Sequence, residues 1–272
     1  RVEVQDGPAS ALVAQSMESS SSAPSRGAFP ERVAFEVVPR EGRRIEIEGR
    51  PIHYVDEGEG PPLLFVHTGT GSFPWRDVIV RLRERFRCVG LDVLGAGPPR
   101  VTEGEPLDLG ALSRILGSFV RALDLSDITL VMHDLGGPVA LGIAPSLHDR
   151  IRALIVTESF GWPLARGAPG LARMPGLARG RIRGLRAPGS SDDYLREVDR
   201  TLRTVLRDRP VLLVFGQESP TVKAGFPERW RERFPDAGLL LVEGSHHFPM
   251  ADAPDLVARA IKGWWREEVS AA

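Results

Sequence analysis

Hydrophobic and polar residues follow two different periods along this chain, and these periods outline the fold. Residues 44–48 and 51–56 alternate between polar and apolar positions, which predicts a β-hairpin with one buried face. Short continuous apolar runs predict strands that are buried on both faces, at residues 62–67, 88–92, 128–132, 153–157, 211–215 and 238–242. Segments with helical spacing separate these runs, at residues 75–85, 107–123, 138–144 and 254–264. Strands that alternate with helices predict an α/β fold with a mostly parallel, doubly wound sheet.

The alternation of strands and helices is interrupted once, between residues 160 and 209. This stretch is rich in Gly, Pro and Arg, and residues 191–208 have a helical pattern. Because the stretch lies between two predicted strands, we interpret residues 160–209 as a short helical cap over the sheet; a linker without a role is the alternative. Residues 29–159 and 210–268 then form the core. Residues 1–28, which include a Ser-rich patch, are predicted to be a disordered arm.

Composition narrows the range of functions. The formal net charge of −1 lacks the basic excess of a nucleic-acid-binding protein. A single cysteine, Cys88, excludes a disulfide framework and a cysteine-based metal site, and it fits a reducing, cytoplasmic compartment. No apolar run reaches the roughly 20 residues that a membrane-spanning helix needs. The sequence therefore predicts a cytoplasmic protein without nucleic-acid or membrane partners.

The most informative local pattern is a sharp turn between the apolar run at residues 128–132 and the helix that follows it. Asp134 lies at the apex of this turn, and Leu135 and two glycines come after it. In a nucleophile elbow the sequence G-x-S-x-G places a serine at this point, and that sequence is absent from the chain. A carboxylate at the apex needs no base to activate it and can displace a leaving group from carbon. The alternative is an Asp that only caps the helix.

Other polar side chains also follow predicted strands. His67 and Glu158 come directly after apolar runs, and His247 lies in the loop after the last one. The carboxyl ends of parallel strands meet at one edge of a sheet, where open α/β proteins bind their ligands. We therefore expect these side chains to lie close to Asp134.

With these residues in view, the chain resembles the α/β-hydrolase family, and within it the branch of haloalkane dehalogenases and epoxide hydrolases. The resemblance extends from about residue 43 to residue 265. The Asp at the elbow is the nucleophile in that branch, which matches Asp134. A Glu just after the next strand matches Glu158, and a His followed by Phe and Pro matches His247. The resemblance implies that Asp134 forms an alkyl ester and that His247, oriented by Glu158, activates the water that hydrolyses it.

Two alternatives to this assignment stay open. His246 is adjacent to His247 and competes with it for the role of the base. Glu218, in the loop after residues 211–215, competes for the role of the acid. Relatives with the acid at that place usually carry Gly-x-x-Asp-Pro, and Ser219 stands in the Asp position here, which favours Glu158.

The resemblance also assigns an oxyanion hole and reveals two departures. The backbone N–H groups of Leu135 and Gly69 match the oxyanion donors. The same two positions carry the Trp and Asn that hold the departing halide in dehalogenases, and a halide without hydrogen bonds loses roughly several kcal/mol of stabilisation. Trp75 and Trp162 are candidate replacement donors, although packing is the commoner role of such residues. Epoxide hydrolases use two cap tyrosines, and this cap contains one, Tyr194.

The resemblance therefore implies hydrolysis of a carbon–halogen bond in a small-molecule, apolar substrate, through an ester on Asp134 and without a metal or cofactor. Epoxide hydrolysis is the first alternative. The second is a non-catalytic protein of the same fold that binds a small ligand, because a fold does not by itself establish catalysis.

Overall fold

The structure, a computed structural model of the 272-residue chain, describes residues 42–67, 72–91, 108–164 and 190–270. The predicted arm at residues 1–28, the loop that carries Gly69, and residues 165–189 of the predicted cap lie outside the described residues.

Within these ranges, eight strands form one sheet. They are β1 (Arg43–Ile47), β2 (Arg50–Glu57), β3 (Pro62–Val66), β4 (Arg87–Leu91), β5 (Ile128–His133), β6 (Ile151–Thr157), β7 (Val211–Gly216) and β8 (Gly238–Val242). Their order across the sheet is β1-β2-β4-β3-β5-β6-β7-β8. β2 pairs antiparallel with β1 and with β4, whereas β3 to β8 pair parallel with their neighbours. The predicted hairpin and the mostly parallel sheet are confirmed.

In the described ranges, one or two α-helices follow each strand from β3 to β8. They are α1 (Arg76–Leu82), α2 (Leu109–Ala122), α3 (Gly136–Leu141), α4 (Ala144–Leu147), α5 (Ser190–Thr204), α6 (Pro220–Lys223), α7 (Phe226–Arg231), α8 (Pro249–Asp252) and α9 (Pro254–Trp264). The helix predicted at residues 107–123 begins where the Asp108 carboxylate accepts the backbone N–H of Ala111 at 2.7 Å. The helix predicted at residues 138–144 starts earlier, at the glycine pair, and is divided into α3 and α4. None of these helices combines the length and apolar character that a membrane crossing needs.

The sheet separates two apolar layers, as a doubly wound fold requires. Alternate residues of one strand face opposite layers: Leu64 and Val66 pack with α2, α3 and α5, whereas Leu63 and Phe65 pack with α1 and α9. Each fully buried side chain of this size contributes about 1.5–3 kcal/mol of transfer free energy. The central strands are therefore held on both faces, and the loops at their carboxyl ends start from rigid positions.

The second part of the predicted cap is the helix α5, which confirms its helical pattern. Leu195, Val198 and Leu202 of this helix are buried in the layer that contains α2 and α3. The helix α5 thus packs against α3, the helix that follows Asp134.

Candidate active site

Asp134 directly follows β5, at the apex of the turn predicted from the sequence. Its φ of 50° lies in the left-handed region, which Asp tolerates better than most side chains. A Cβ atom on Gly136 would lie 2.1 Å from the carbonyl oxygen of Val66, and one on Gly137 would lie 2.0 Å from Ser159 Oγ. A larger residue at either position would clash, because the turn is confined between the end of β3 and the loop after β6.

The Asp134 carboxylate is buried but sparsely bonded. The residue is 2% exposed. Its Oδ1 atom has no hydrogen-bond partner among the residues that the structure describes. Its Oδ2 atom lies 3.7 Å from Nε2 of His247. Buried polar atoms are nearly always hydrogen-bonded, so a bare oxygen at a strained turn points to a chemical role rather than a structural one.

Glu158 directly follows β6 and is fixed by three hydrogen bonds. It also has a left-handed φ, of 49°, and it is fully buried. Its carboxylate accepts the backbone N–H of Gly216 at 2.6 Å, the Ser219 hydroxyl at 2.5 Å and the Thr221 hydroxyl. Sequence reasoning did not predict the donors Ser219 and Thr221; the absence of an acid at position 219 was the one available signal.

His247, in the loop between β8 and α8, lies between the two carboxylates. Its Nδ1 is 3.8 Å from Glu158 Oε2, opposite the contact of its Nε2 with Asp134. These separations are those of ion pairs rather than of short hydrogen bonds. Burial lowers the pKa of His247, but the Asp134 and Glu158 carboxylates outweigh burial and raise that pKa to about 9. The structure thus brings together the three residues that the resemblance singled out.

The alternative acid and base lie elsewhere. His246 is exposed, and its Nδ1–H donates to the backbone oxygen of Glu218 at 3.2 Å. The half-exposed carboxylate of Glu218 lies 3.7 Å from the Lys223 ammonium group. Within the described ranges, neither residue contacts Asp134.

The two candidate indole donors are packed in the core. Trp75 is fully buried, with its ring centroid 5.3 Å from that of Phe65. Trp162, also fully buried, lies under the guanidinium groups of Arg229 and Arg233, at 4.7 and 4.6 Å from its ring. Neither indole N–H has a hydrogen-bond partner in the described part of the chain. Whether one of them holds a leaving group stays a prediction.

Tyr194, the candidate phenol of the cap, is engaged with the protein. Its hydroxyl donates to the backbone oxygen of Pro138 at 2.8 Å and contacts Ser113 Oγ at 2.6 Å. Burial raises the pKa of Tyr194 to about 12, so the phenol keeps its proton. The Tyr194 hydroxyl therefore links α5 to α3 and is already hydrogen-bonded within the protein.

Leu135 occupies the position before the first turn of α3. Its side chain is fully buried in the apolar layer, and its backbone N–H lies outside the helical hydrogen-bond pattern. This placement is compatible with an oxyanion donor. The second predicted donor, Gly69, lies outside the described residues.

The free energy of unfolding should report the ion pairs of His247. The folded-state pKa of about 9 exceeds the ordinary 6.5, so the stabilisation is complete below pH 6.5 and is lost as the pH rises through about 9. Its ceiling is roughly 3 kcal/mol, at about 1.4 kcal/mol for each pKa unit. We expect urea unfolding to show a stability advantage of the wild type over His247→Gln that shrinks between pH 6 and pH 9.

The buried histidines His67 and His133 contribute little to the change expected between pH 6 and pH 9. Burial lowers the pKa of His67 to about 4 and that of His133 well below its ordinary value. Their contributions are lost as the pH falls below 6.5, which lies at the acid end of that range. A difference between wild type and His247→Gln that does not change with pH would contradict the assigned ion pairs.

Comparison with known proteins places this chain in a family. The profile of the alpha/beta hydrolase family matches residues 63–260, which span the sheet from β3 to β8 and most of α9. The chain belongs to the alpha/beta hydrolase family.

Within that family, this α/β hydrolase is similar to haloalkane dehalogenases. Haloalkane dehalogenase 2 of Mycobacterium tuberculosis is 31% identical over 277 residues, covering 83% of this chain and 95% of the relative. The cis-3-alkyl-4-alkyloxetan-2-one decarboxylase of Shewanella oneidensis is 24% identical over 85% of this chain and 90% of that enzyme. The resemblance to the haloalkane dehalogenase branch is confirmed.

Solved structures agree on the fold of this α/β hydrolase. The crystal structure of the haloalkane dehalogenase DatA from Agrobacterium tumefaciens C58 has a TM-score of 0.70 and 20% sequence identity, covering 83% of this chain and 96% of that one. The α/β-hydrolase fold predicted from the sequence is confirmed.

Proposed function

We propose that this α/β hydrolase is a haloalkane dehalogenase-like enzyme that cleaves the carbon–halogen bond of a small apolar substrate through an ester on Asp134. The observation that carries the proposal is the pairing of a bare, buried Oδ1 atom on Asp134 with the imidazole of His247 on the other oxygen. The similarity to haloalkane dehalogenase 2 supports the same conclusion.

The first step needs only the carboxylate. Asp134 Oδ1 attacks the carbon that carries the halogen, a carbon–oxygen bond forms, and the halide leaves with the electron pair of the broken bond. No proton moves in this displacement. Because Asp134 Oδ1 has no hydrogen-bond partner among the described residues, its attack on carbon breaks no hydrogen bond.

The second step needs a neutral imidazole. With the pKa of His247 near 9, the ring is a cation while Asp134 carries its charge. Ester formation removes that charge and with it one of the two contacts that hold the proton, so the ring can lose its proton to solvent. Nε2 then takes a proton from water as the water oxygen attacks the ester carbonyl carbon, and Glu158 stabilises the imidazolium. Collapse of the oxyanion breaks the bond to the alkyl oxygen, which takes the proton of the imidazolium and leaves as the alcohol. The carboxylic proton left on Asp134 then passes to His247, which restores the carboxylate.

The residue at position 135 is the reason for a second candidate function. Leu135 offers no side-chain donor to a departing halide, whereas the leaving oxygen of a strained cyclic ether or ester stays attached to the substrate. Epoxide hydrolysis, or ring opening of the oxetanone kind acted on by the Shewanella relative, is therefore the alternative. Tyr194 does not favour the epoxide, because its hydroxyl is already bonded to Pro138.

A substrate panel separates these candidates. Wild-type enzyme is incubated separately with 1-bromobutane, styrene oxide and a cis-3,4-dialkyloxetan-2-one, and bromide and organic products are quantified. We expect bromide and 1-butanol in equal amounts. Diol from styrene oxide without bromide from 1-bromobutane would overturn the halide assignment in favour of the epoxide, and alkene from the oxetanone would favour decarboxylation.

A further inference from the structure

His133 is the last residue of β5 and immediately precedes Asp134. Its ring is fully buried, and its Nε2 atom lies 2.8 Å from the backbone carbonyl oxygen of His247. A carbonyl oxygen can only accept a hydrogen bond, so Nε2 must carry the hydrogen. This hydrogen bond links the end of β5, directly before Asp134, to the loop that contains His247, 114 residues further along the chain.

The ring of His133 is constrained on several sides. The ring of His67 stacks on it, with centroids 4.8 Å apart and an interplanar angle of 28°. The rings of His247 and Phe248 lie at 4.7 and 5.1 Å. Rotation of the imidazole would have to displace these neighbours, so the direction of its N–H is fixed by packing.

The charge state of His133 preserves the contact. Burial, followed by the neighbouring His67 and His247, lowers the pKa of His133 well below its ordinary value. The ring is therefore neutral and has a single N–H group. Since Nε2 donates, Nδ1 carries no hydrogen, and Nδ1 has no hydrogen-bond partner among the described residues.

We propose that His133 is a positioning residue, whose Nε2–H holds the backbone of His247 so that the His247 imidazole faces Asp134. The inference rests on the proposed function and adds a residue that never touches the substrate. Displacement of the halide by Asp134 needs no base, whereas hydrolysis of the ester depends on where His247 lies. Loss of the His133 donor should therefore slow the second step and leave the first nearly unchanged.

Two substitutions test this separation. His133→Phe keeps an aromatic ring without the donor, and His133→Gln keeps an N–H at a comparable reach. After mixing with 1-bromobutane in a single turnover, intact-mass spectra follow the growth and the decay of the butyl ester. For His133→Phe we expect decay to slow by about tenfold or more, because a displacement of about 1 Å costs up to about a hundredfold. Ester growth should change by less than about twofold, and His133→Gln should recover much of the decay rate.

Two other patterns in the rates of ester growth and decay would overturn the proposal. Equal slowing of growth and decay, or a His133→Gln enzyme as slow as His133→Phe, would mean a general packing role. Should a variant fail to fold, ¹⁵N spectra of the wild-type histidines provide an independent test, since His133 must appear as the neutral ring with its proton on Nε2. A proton on Nδ1 would contradict the inference. If the wild type and His247→Phe never form an ester with any halide, the proposed function fails instead, whatever the spectrum of His133.

Discussion

Replacement of Asp134 by Asn is expected to abolish turnover, with a loss of about 10⁴-fold or more, as for other groups that carry the covalent step of a reaction. An amide of nearly the same shape keeps the turn intact but is a very weak nucleophile toward carbon. Because Asp134 Oδ1 has no hydrogen-bond partner in the described ranges, the substitution breaks no hydrogen bond at that atom. Bromide release from 1-bromobutane measures the effect, and thermal unfolding verifies that the variant is folded.

The matched control for this experiment is Glu218→Gln. Glu218 is also a carboxylate in a loop at the carboxyl edge of the sheet, but it contacts Lys223 rather than His247. We expect its variant to stay as stable as the wild type, as most surface substitutions do, and to keep turnover within about twofold because this carboxylate lies outside the group formed by Asp134, His247 and Glu158. Turnover that survives in Asp134→Asn would contradict the ester mechanism. A wild type that binds an apolar compound, is stabilised by it and releases it unchanged would instead support the ligand-binding alternative.

The fold could be predicted to the extent that hydrophobic patterns are local. The bounds of β8 and α9 match the predicted ranges of residues 238–242 and 254–264, because a continuous apolar run marks the strand and a helical period marks the helix. The helices α6, α7 and α8 were not predicted. They are four to six residues long, each has a Pro in its first turn, and such short helices depend on tertiary burial of side chains such as Phe226 and Trp230.

The candidate site, like the fold, could be predicted from the sequence only in part. Asp134 and Glu158 could be singled out because each follows a strand directly, and β5 and β6 are neighbours in the sheet. The groups that hydrogen-bond to Glu158 and to the His247 backbone could not be predicted, since Ser219 and His133 make these contacts across 61 and 114 residues of chain. Such contacts depend on loops whose paths the sequence pattern does not specify. The sequence therefore indicated which residues meet, but not how their separations and hydrogen bonds are fixed.

Replacement of His247 by Phe is expected to stop the reaction half-way, with the alkyl ester retained on Asp134. The displacement needs no base, so one bromide should be released per chain in a rapid burst. Hydrolysis should then slow by about 10²–10⁴-fold, which is the usual contribution of a general base. Intact-mass spectrometry should show a chain heavier by one butyl group, and peptide mapping should place that group at Asp134.

The neighbouring residue provides the control for this experiment. His246→Phe removes an imidazole one position away, which is exposed and bonded to the Glu218 backbone, and this variant should turn over without retaining an ester. If His246→Phe retained the ester and His247→Phe did not, the base would be His246. The burst also separates substrate classes, because an epoxide adduct would form without bromide and would carry the added mass of the whole epoxide. A trapped ester would therefore identify both the nucleophile and the bond that it breaks.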